Sequence, residues 1–236
     1  MSSAARWVYG ACVLGCLVFI TSALRFWGSA EIRANPGEVV FLSGAAVVCL
    51  LLTTKLFAWF GLSFRDDAVE RKNTAALIAL SGAIIAAALL YAGGSIGEGP
   101  SYLNNVFSIG IAAVIFFVLW SSFETVSKVS ISIAEERDLA SGMRLGGLLI
   151  AIALVLGRAV AGDWHSESAT IHDFIHDGWL AILIVAFAAF VEILARPSRL
   201  HPFRPWLTFG FIPALAYLGL AGVWLWHLGP WEGMPK

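Results

Sequence analysis

The sequence predicts an all-α, polytopic transmembrane bundle of seven helices with an internal, parallel duplication of a two-helix unit. Three observations lead there. The 236 residues are 59% hydrophobic and only 13% charged, with a mean hydropathy of +0.82, whereas a soluble domain is roughly half apolar and a quarter charged. Seven stretches reach the roughly 18 apolar residues that a membrane-crossing helix needs. The stretch 70–90, ERKNTAALIALSGAIIAAALL, recurs 65 residues later as 135–155, EERDLASGMRLGGLLIAIALV, and internal repeats decide how the rest of a chain is read.

The first span, 7–24, follows Arg6 and has the form of a signal-peptide core; it is expected to stay in place as a membrane helix. The second, 39–64, carries Lys55 in its last part, and Asn35-Pro36-Gly37 breaks the chain ahead of it. The third, 74–94, holds no charge. The glycine- and proline-rich turn region 93–105, GGSIGEGPSYLNN, leads into the fourth, 106–123. The fifth is 143–160, the sixth 178–195 and the seventh 206–226, with RPSRLHPFR at 196–204 joining the last two. Pro213 in the seventh removes a backbone donor and is expected to kink that helix.

The chain, 1–236, reads as a single transmembrane domain. An N-terminal helix occupies 1–38, the first repeat 39–104 and the second 105–162. An outer amphipathic segment and two C-terminal helices fill 163–236. Aligned without gaps, the repeats share Glu70/Glu135, Ala75/Ala140, Leu80/Leu145, Gly82/Gly147, Ile85/Ile150, Ala86/Ala151, Ala88/Ala153 and Leu89/Leu154. Each unit has two spans, so both start from the same side, which makes the repeat parallel and not inverted.

Lys and Arg set the orientation. With the N-terminus in the cytoplasm, eleven basic residues lie inside: Arg6, Lys55, Arg65, Arg71, Lys72, Lys128, Arg137, Arg144, Arg196, Arg199 and Arg204. Four lie outside: Arg25, Arg33, Arg158 and Lys236. Seven spans then put the C-terminus outside. The expected location is the bacterial inner membrane.

KNTAALIALSG resembles the Asn-x-Ala-Ala-x-x-x-x-x-Gly signature of the YjfL-like bacterial inner-membrane proteins, a family of unknown function. RDLASGMRLGG is similar to its second copy, with Asp138 where the family usually has Asn. The resemblance covers about 39–162 and implies a tandem two-helix repeat. It brings no catalytic residues.

Candidate site residues fall in three groups. Asn73 and Asp138 stand where each repeat starts its second span; they are read as helix N-caps, which both residue types do well, or as polar groups lining a cytoplasmic vestibule. Gly82, Gly142, Gly146 and Gly147 give small-residue faces on the third and fifth spans. Such faces let membrane helices approach closely, between the repeats or between subunits. The outer loop 163–177, DWHSESATIHDFIHD, reads as a short amphipathic helix on the membrane surface. It carries His172 and His176 on one face, a spacing that can ligate Zn²⁺ or Cu²⁺, with His165 and His227 at the same level. The bland reading of that face is a solvated surface.

Net charge of −1 argues against a nucleic-acid partner. Cys12, Cys16 and Cys49 all lie in apolar spans and form no disulfide or CxxC pattern. No Walker, nucleophile-elbow or HExxH motif occurs, and the membrane interior reads as poor in ionisable groups. Lys55, Glu124, Glu192 and Arg158 stand near span ends, where long side chains snorkel. No cofactor is expected. The seventh span has no Lys for a retinal Schiff base, and every His lies at a helix end or in a loop, away from the paired axial positions of a haem.

The functional expectation is an inner-membrane protein without catalytic chemistry. Its partners are the lipid bilayer and either further copies of itself or a larger membrane complex, in which it forms a pore, a transport path or a scaffold. The alternative is a haem- or metal-carrying electron-transfer subunit that uses the outer His cluster.

Overall fold

A computed structural model describes residues 2–197 and 205–231. The basic linker 198–204 and the tail 232–236, with Arg199, Arg204 and Lys236 of the orientation reading, lie outside the described residues. Among the described residues the chain is all-helical, with ten α-helices and no strand.

α1 (Ser2–Trp27) leads through the short α2 (Ala30–Ala34) to α3 (Pro36–Leu56). The Asn35 side chain caps α3 by accepting from the Gly37 amide, and Pro36 fills the first turn, where its missing N–H costs nothing. A 3₁₀ turn, Phe57–Phe60, and a π turn, Phe64–Glu70, carry the chain to α4 (Thr74–Gly93). α5 (Tyr102–Ser127), α6 (Val129–Ala134) and α7 (Leu139–Ala159) follow. α8 (Glu167–Gly178) and α9 (Leu180–Ala195) come next, then a π turn, Leu207–Phe211, and α10 (Ile212–Leu228).

Seven helical segments are long and apolar enough to cross a membrane. Successive crossings alternate in sense, so α1, α4, α7 and α10 run one way. These four also touch in sequence: α1 packs on α4, α4 on α7, and α7 on α10. The return helices lie against the seams of this row. α3 contacts α1 and α4, α5 contacts α4 and α7, and α9 contacts α7 and α10. The centre of the row is the core: the windows of α4 and α7 are 72% and 78% buried, against 22% to 39% for the other five spans.

Residues without side chains decide that centre. A Cβ placed on Gly82 would stand 2.4 Å from the Gly146 Cα, one on Gly142 2.5 Å from the Ala75 oxygen, and one on Gly93 2.2 Å from the Gly157 oxygen. Glycines thus let α4 and α7 meet backbone to backbone along their whole length. Gly147 faces the other way, where its Cβ would stand 2.5 Å from the Ala214 Cβ of α10.

The N-terminal starts of α4 and α7 share one local geometry at positions 65 apart. Lys72 and Arg137 both have left-handed backbones, φ 54° and 56°. The Asn73 amide donates to the Asp67 carbonyl and the Asp138 amide to the Ser132 carbonyl, both at 3.0 Å. Asn73 Oδ1 then accepts from the Ala76 amide and Asp138 Oδ2 from the Ser141 amide.

Two elements differ from their sequence-based description. The amphipathic helix is not separate from the span that follows it. α8 packs on α7, burying Phe174 and Gly178, and runs through a helical Trp179 into α9, so that Glu167–Ala195 forms one span. Of its apolar residues at helical spacing, Phe174 packs inward while Ile171, Ile175 and Trp179 stay exposed. The membrane-facing ends are also not merely snorkelling positions: Arg144 and Glu192 are both 1% exposed.

Candidate functional site

α7 carries an arginine at each end, and each arginine ties the same two neighbours. Near the N-terminal start of α7, Arg144 Nε donates to Glu192 Oε2 at 2.6 Å and Nη2 to Glu192 Oε1 at 2.9 Å, a two-point clasp on α9. Nη2 also donates to the Ser141 hydroxyl, and Asp138 Oδ2 lies 3.9 Å away. Nη1 donates to the Phe209 carbonyl at the head of α10. Pro213, four residues on, has no N–H with which to bond that oxygen.

At the C-terminal end of α7, Arg158 Nη1 lies 3.7 Å from Asp177 Oδ2 of α8. Its Nη2 donates to the Gly229 and Pro230 carbonyls just past α10, each at 3.3 Å. The fourteen residues from 144 to 158 are about 21 Å of helix, and at 3.6 residues per turn they return to nearly the same face. One face of α7 therefore holds α9 and the head of α10 near one end, and α8 and the chain just past α10 near the other.

Beside the Arg158 clamp opens a polar cavity of about 210 Å³. Loops 94–99 and 160–164 form its wall and are zipped together. The Gly162 amide donates to the Ile96 carbonyl at 3.3 Å, the Trp164 amide to the Glu98 carbonyl at 2.7 Å, and the Glu98 amide to Asp163 Oδ1 at 2.8 Å. Gly97, at φ 106°, approaches so closely that a Cβ there would fall 2.0 Å from the Gly162 oxygen. Arg158, Asp163, Asp173, Asp177, Asn104 and Ser108 line the cavity with these loops.

The sequence-derived candidates take these places. Asn73, 1% exposed, caps α4 and also donates from Nδ2 to the Ile133 carbonyl at 2.6 Å, bridging α4 to the α6 end. Asp138 caps α7 and accepts from the Ser141 amide and hydroxyl. Gly82, Gly142 and Gly146 join α4 to α7 inside the chain, and Gly147 joins α7 to α10. His172 and His176 are exposed, each against its own neighbour: His172 Nδ1 is 3.4 Å from Asp173 and His176 Nδ1 2.8 Å from Asp177. Among the described residues no group of three or more His, Cys, Asp or Glu side chains is placed to hold a metal ion.

Sequence reasoning missed the Arg144–Glu192 pair and the cavity beside Arg158. A signal was present for the clamps: two arginines fourteen apart on one span, and two acids, Asp177 and Glu192, fifteen apart on the next.

No protein-family model, curated protein or solved structure matches the chain. The seven spans and the packed row define the class: a multi-pass integral membrane protein.

Proposed function

We propose that this is a non-catalytic protein of the bacterial inner membrane, N-terminus in the cytoplasm, that serves as a scaffold or binding subunit within an oligomer or larger membrane assembly. The outer cavity is its working site. Any transport path runs between subunits, not along the axis of one bundle. The observation that carries this is the backbone contact of α4 with α7, which fills the centre of the row with Gly82, Gly142, Gly146, Gly93 and Gly157.

The duplicated architecture and the likeness to the YjfL-like family belong to the same proposal. Two things support the duplication. One is the matched pair of caps and left-handed residues at Lys72-Asn73 and Arg137-Asp138. The other is a contact made twice. Ala75 meets Gly142 and Gly82 meets Gly146 across α4 and α7, while Ala140 meets Gly210 and Gly147 meets Ala214 across α7 and the last span. Ala75/Ala140 and Gly82/Gly147 are repeat partners, so α7 stands to the last span as α4 stands to α7.

Proteoliposomes holding about one protein each and loaded with a potassium- or proton-sensitive dye test the functional claim. They should leak no faster than empty vesicles. A flux that scales with protein number at that density places a conduit inside the single bundle and overturns the proposal.

A further inference from the structure

Two N–H groups in the wall of the cavity beside Arg158 lack an acceptor. Arg158 Nε on α7 and Asn104 Nδ2 on α5 are buried atoms, and neither has a hydrogen-bond partner among the described residues. The rest of each side chain is placed. Arg158 Nη1 faces Asp177 and Nη2 donates to the Gly229 and Pro230 carbonyls, while Asn104 Oδ1 accepts from the Ser101 hydroxyl. Each group is thus fixed at one end and unanswered at the other. A buried donor left unmade costs free energy unless something in the cavity accepts from it.

The rest of the wall decides which acceptor fits. Glu98, Asp163, Asp173 and Asp177 line the same cavity, four carboxylates against one guanidinium that already faces Asp177. An anion entering here meets like charge. A cation leaves both N–H groups without an acceptor. The ligand is therefore neutral. A bare carbonyl would serve the donors alone, whereas a hydroxyl accepts and donates, and so serves the N–H groups and the carboxylates together. The carboxylates have room for it: Asp163 Oδ1 accepts from the Glu98 amide, and an ionised carboxylate offers about four lone-pair sites. Trp164 adds an aromatic wall, held edge to face by Phe107 with ring centroids 5.4 Å apart. Aromatic surface with a few convergent polar groups is the usual form of a small-molecule site. The volume, about 210 Å³, equals roughly seven waters at about 30 Å³ each, which suits a single sugar ring.

We propose that this cavity binds a neutral sugar, whose oxygens accept from Arg158 Nε and Asn104 Nδ2, whose hydroxyls donate to Asp163 and its neighbouring carboxylates, and whose C–H face lies against Trp164. The inference rests on this cavity being the working site. A free sugar and the headgroup of a glycolipid present the same groups, and the two are separated by experiment.

The test is a thermal-shift titration of the intact protein in phosphatidylcholine nanodiscs with the methyl glycosides of glucose, galactose and mannose. Any sugar raises Tm gradually through its exclusion from the protein surface. Binding adds a saturable rise, expected for at least one of the three. The uronate of the responding sugar, which carries an added carboxylate, should be at least tenfold weaker in midpoint, and n-propylammonium chloride should give no saturable rise. Asn104→Leu keeps the shape of the side chain and removes the donor. It should weaken the midpoint at least tenfold while leaving the Tm without sugar unchanged or slightly raised. Arg158→Lys, which keeps the charge and loses the Nε–H, should weaken the midpoint severalfold or more. Loss of the sugar response in nanodiscs containing a hexosyl diacylglycerol assigns the site to glycolipid headgroups; its persistence assigns it to free sugars. No saturable shift from any of the three glycosides, an equal or tighter response to the uronate or to propylammonium, or an unchanged midpoint in Asn104→Leu overturns the inference. Such failure leaves the closed-bundle reading standing, because dye flux reports on that separately.

Discussion

A guanidinium at 1% exposure inside a membrane bundle demands partners within reach. Arg144 has them from three elements: Glu192, Ser141 and the Phe209 carbonyl. Removing one member of such a pair leaves the other charge buried and unanswered, which costs about 3–5 kcal/mol. Arg144→Met and Glu192→Gln should each destabilise the protein on that scale in denaturant unfolding in detergent. Arg144→Met with Glu192→Leu should cost clearly less than the sum, and simple additivity would contradict the pairing. The pair was hidden in the sequence for a physical reason. Arg144 lies five residues past the start of α7, where a long side chain can snorkel as readily as turn inward. Its acid is 48 residues away, and no local spacing reports a contact across helices. Asn73 and Asp138, by contrast, were legible, because N-capping is a local bargain between a side chain and the amides two and three residues on.

At the scale of helices, the spans were readable from hydropathy and the small-residue faces from their glycines. Which neighbour each glycine meets was not, because Gly82 and Gly147, aligned in the sequence at a spacing of 65, touch different helices. Each faces the next same-sense helix along the row, and that order is set by tertiary packing. The consequence is testable by contrast. Gly82→Leu forces a side chain into the Gly146 backbone and should lower stability by on the order of 1–3 kcal/mol or more. Gly110, on α5, has nothing within 4 Å of a built Cβ. Gly110→Ala should therefore be neutral or stabilise by up to about 1 kcal/mol, through helix propensity. Both are read by thermal unfolding in the same detergent, and equal losses in the two variants would argue against the α4–α7 seam.

For the whole molecule, length, charge and hydropathy made the class legible, and the 65-residue recurrence pointed to the pair α4 and α7 that occupies the centre. The cavity beside Arg158 was not legible. Its walls come from two loops about 65 residues apart that meet only because the helices below them do, at Gly93 and Gly157. The same contact closes the axis of the bundle and opens the polar recess above it. A density map of the protein in lipid nanodiscs tests this most directly. The account predicts α4 and α7 in backbone contact at Gly82/Gly146 and Gly93/Gly157, with the polar recess confined to the Arg158 end of the bundle. A continuous water-lined gap between α4 and α7 at those glycines would contradict it.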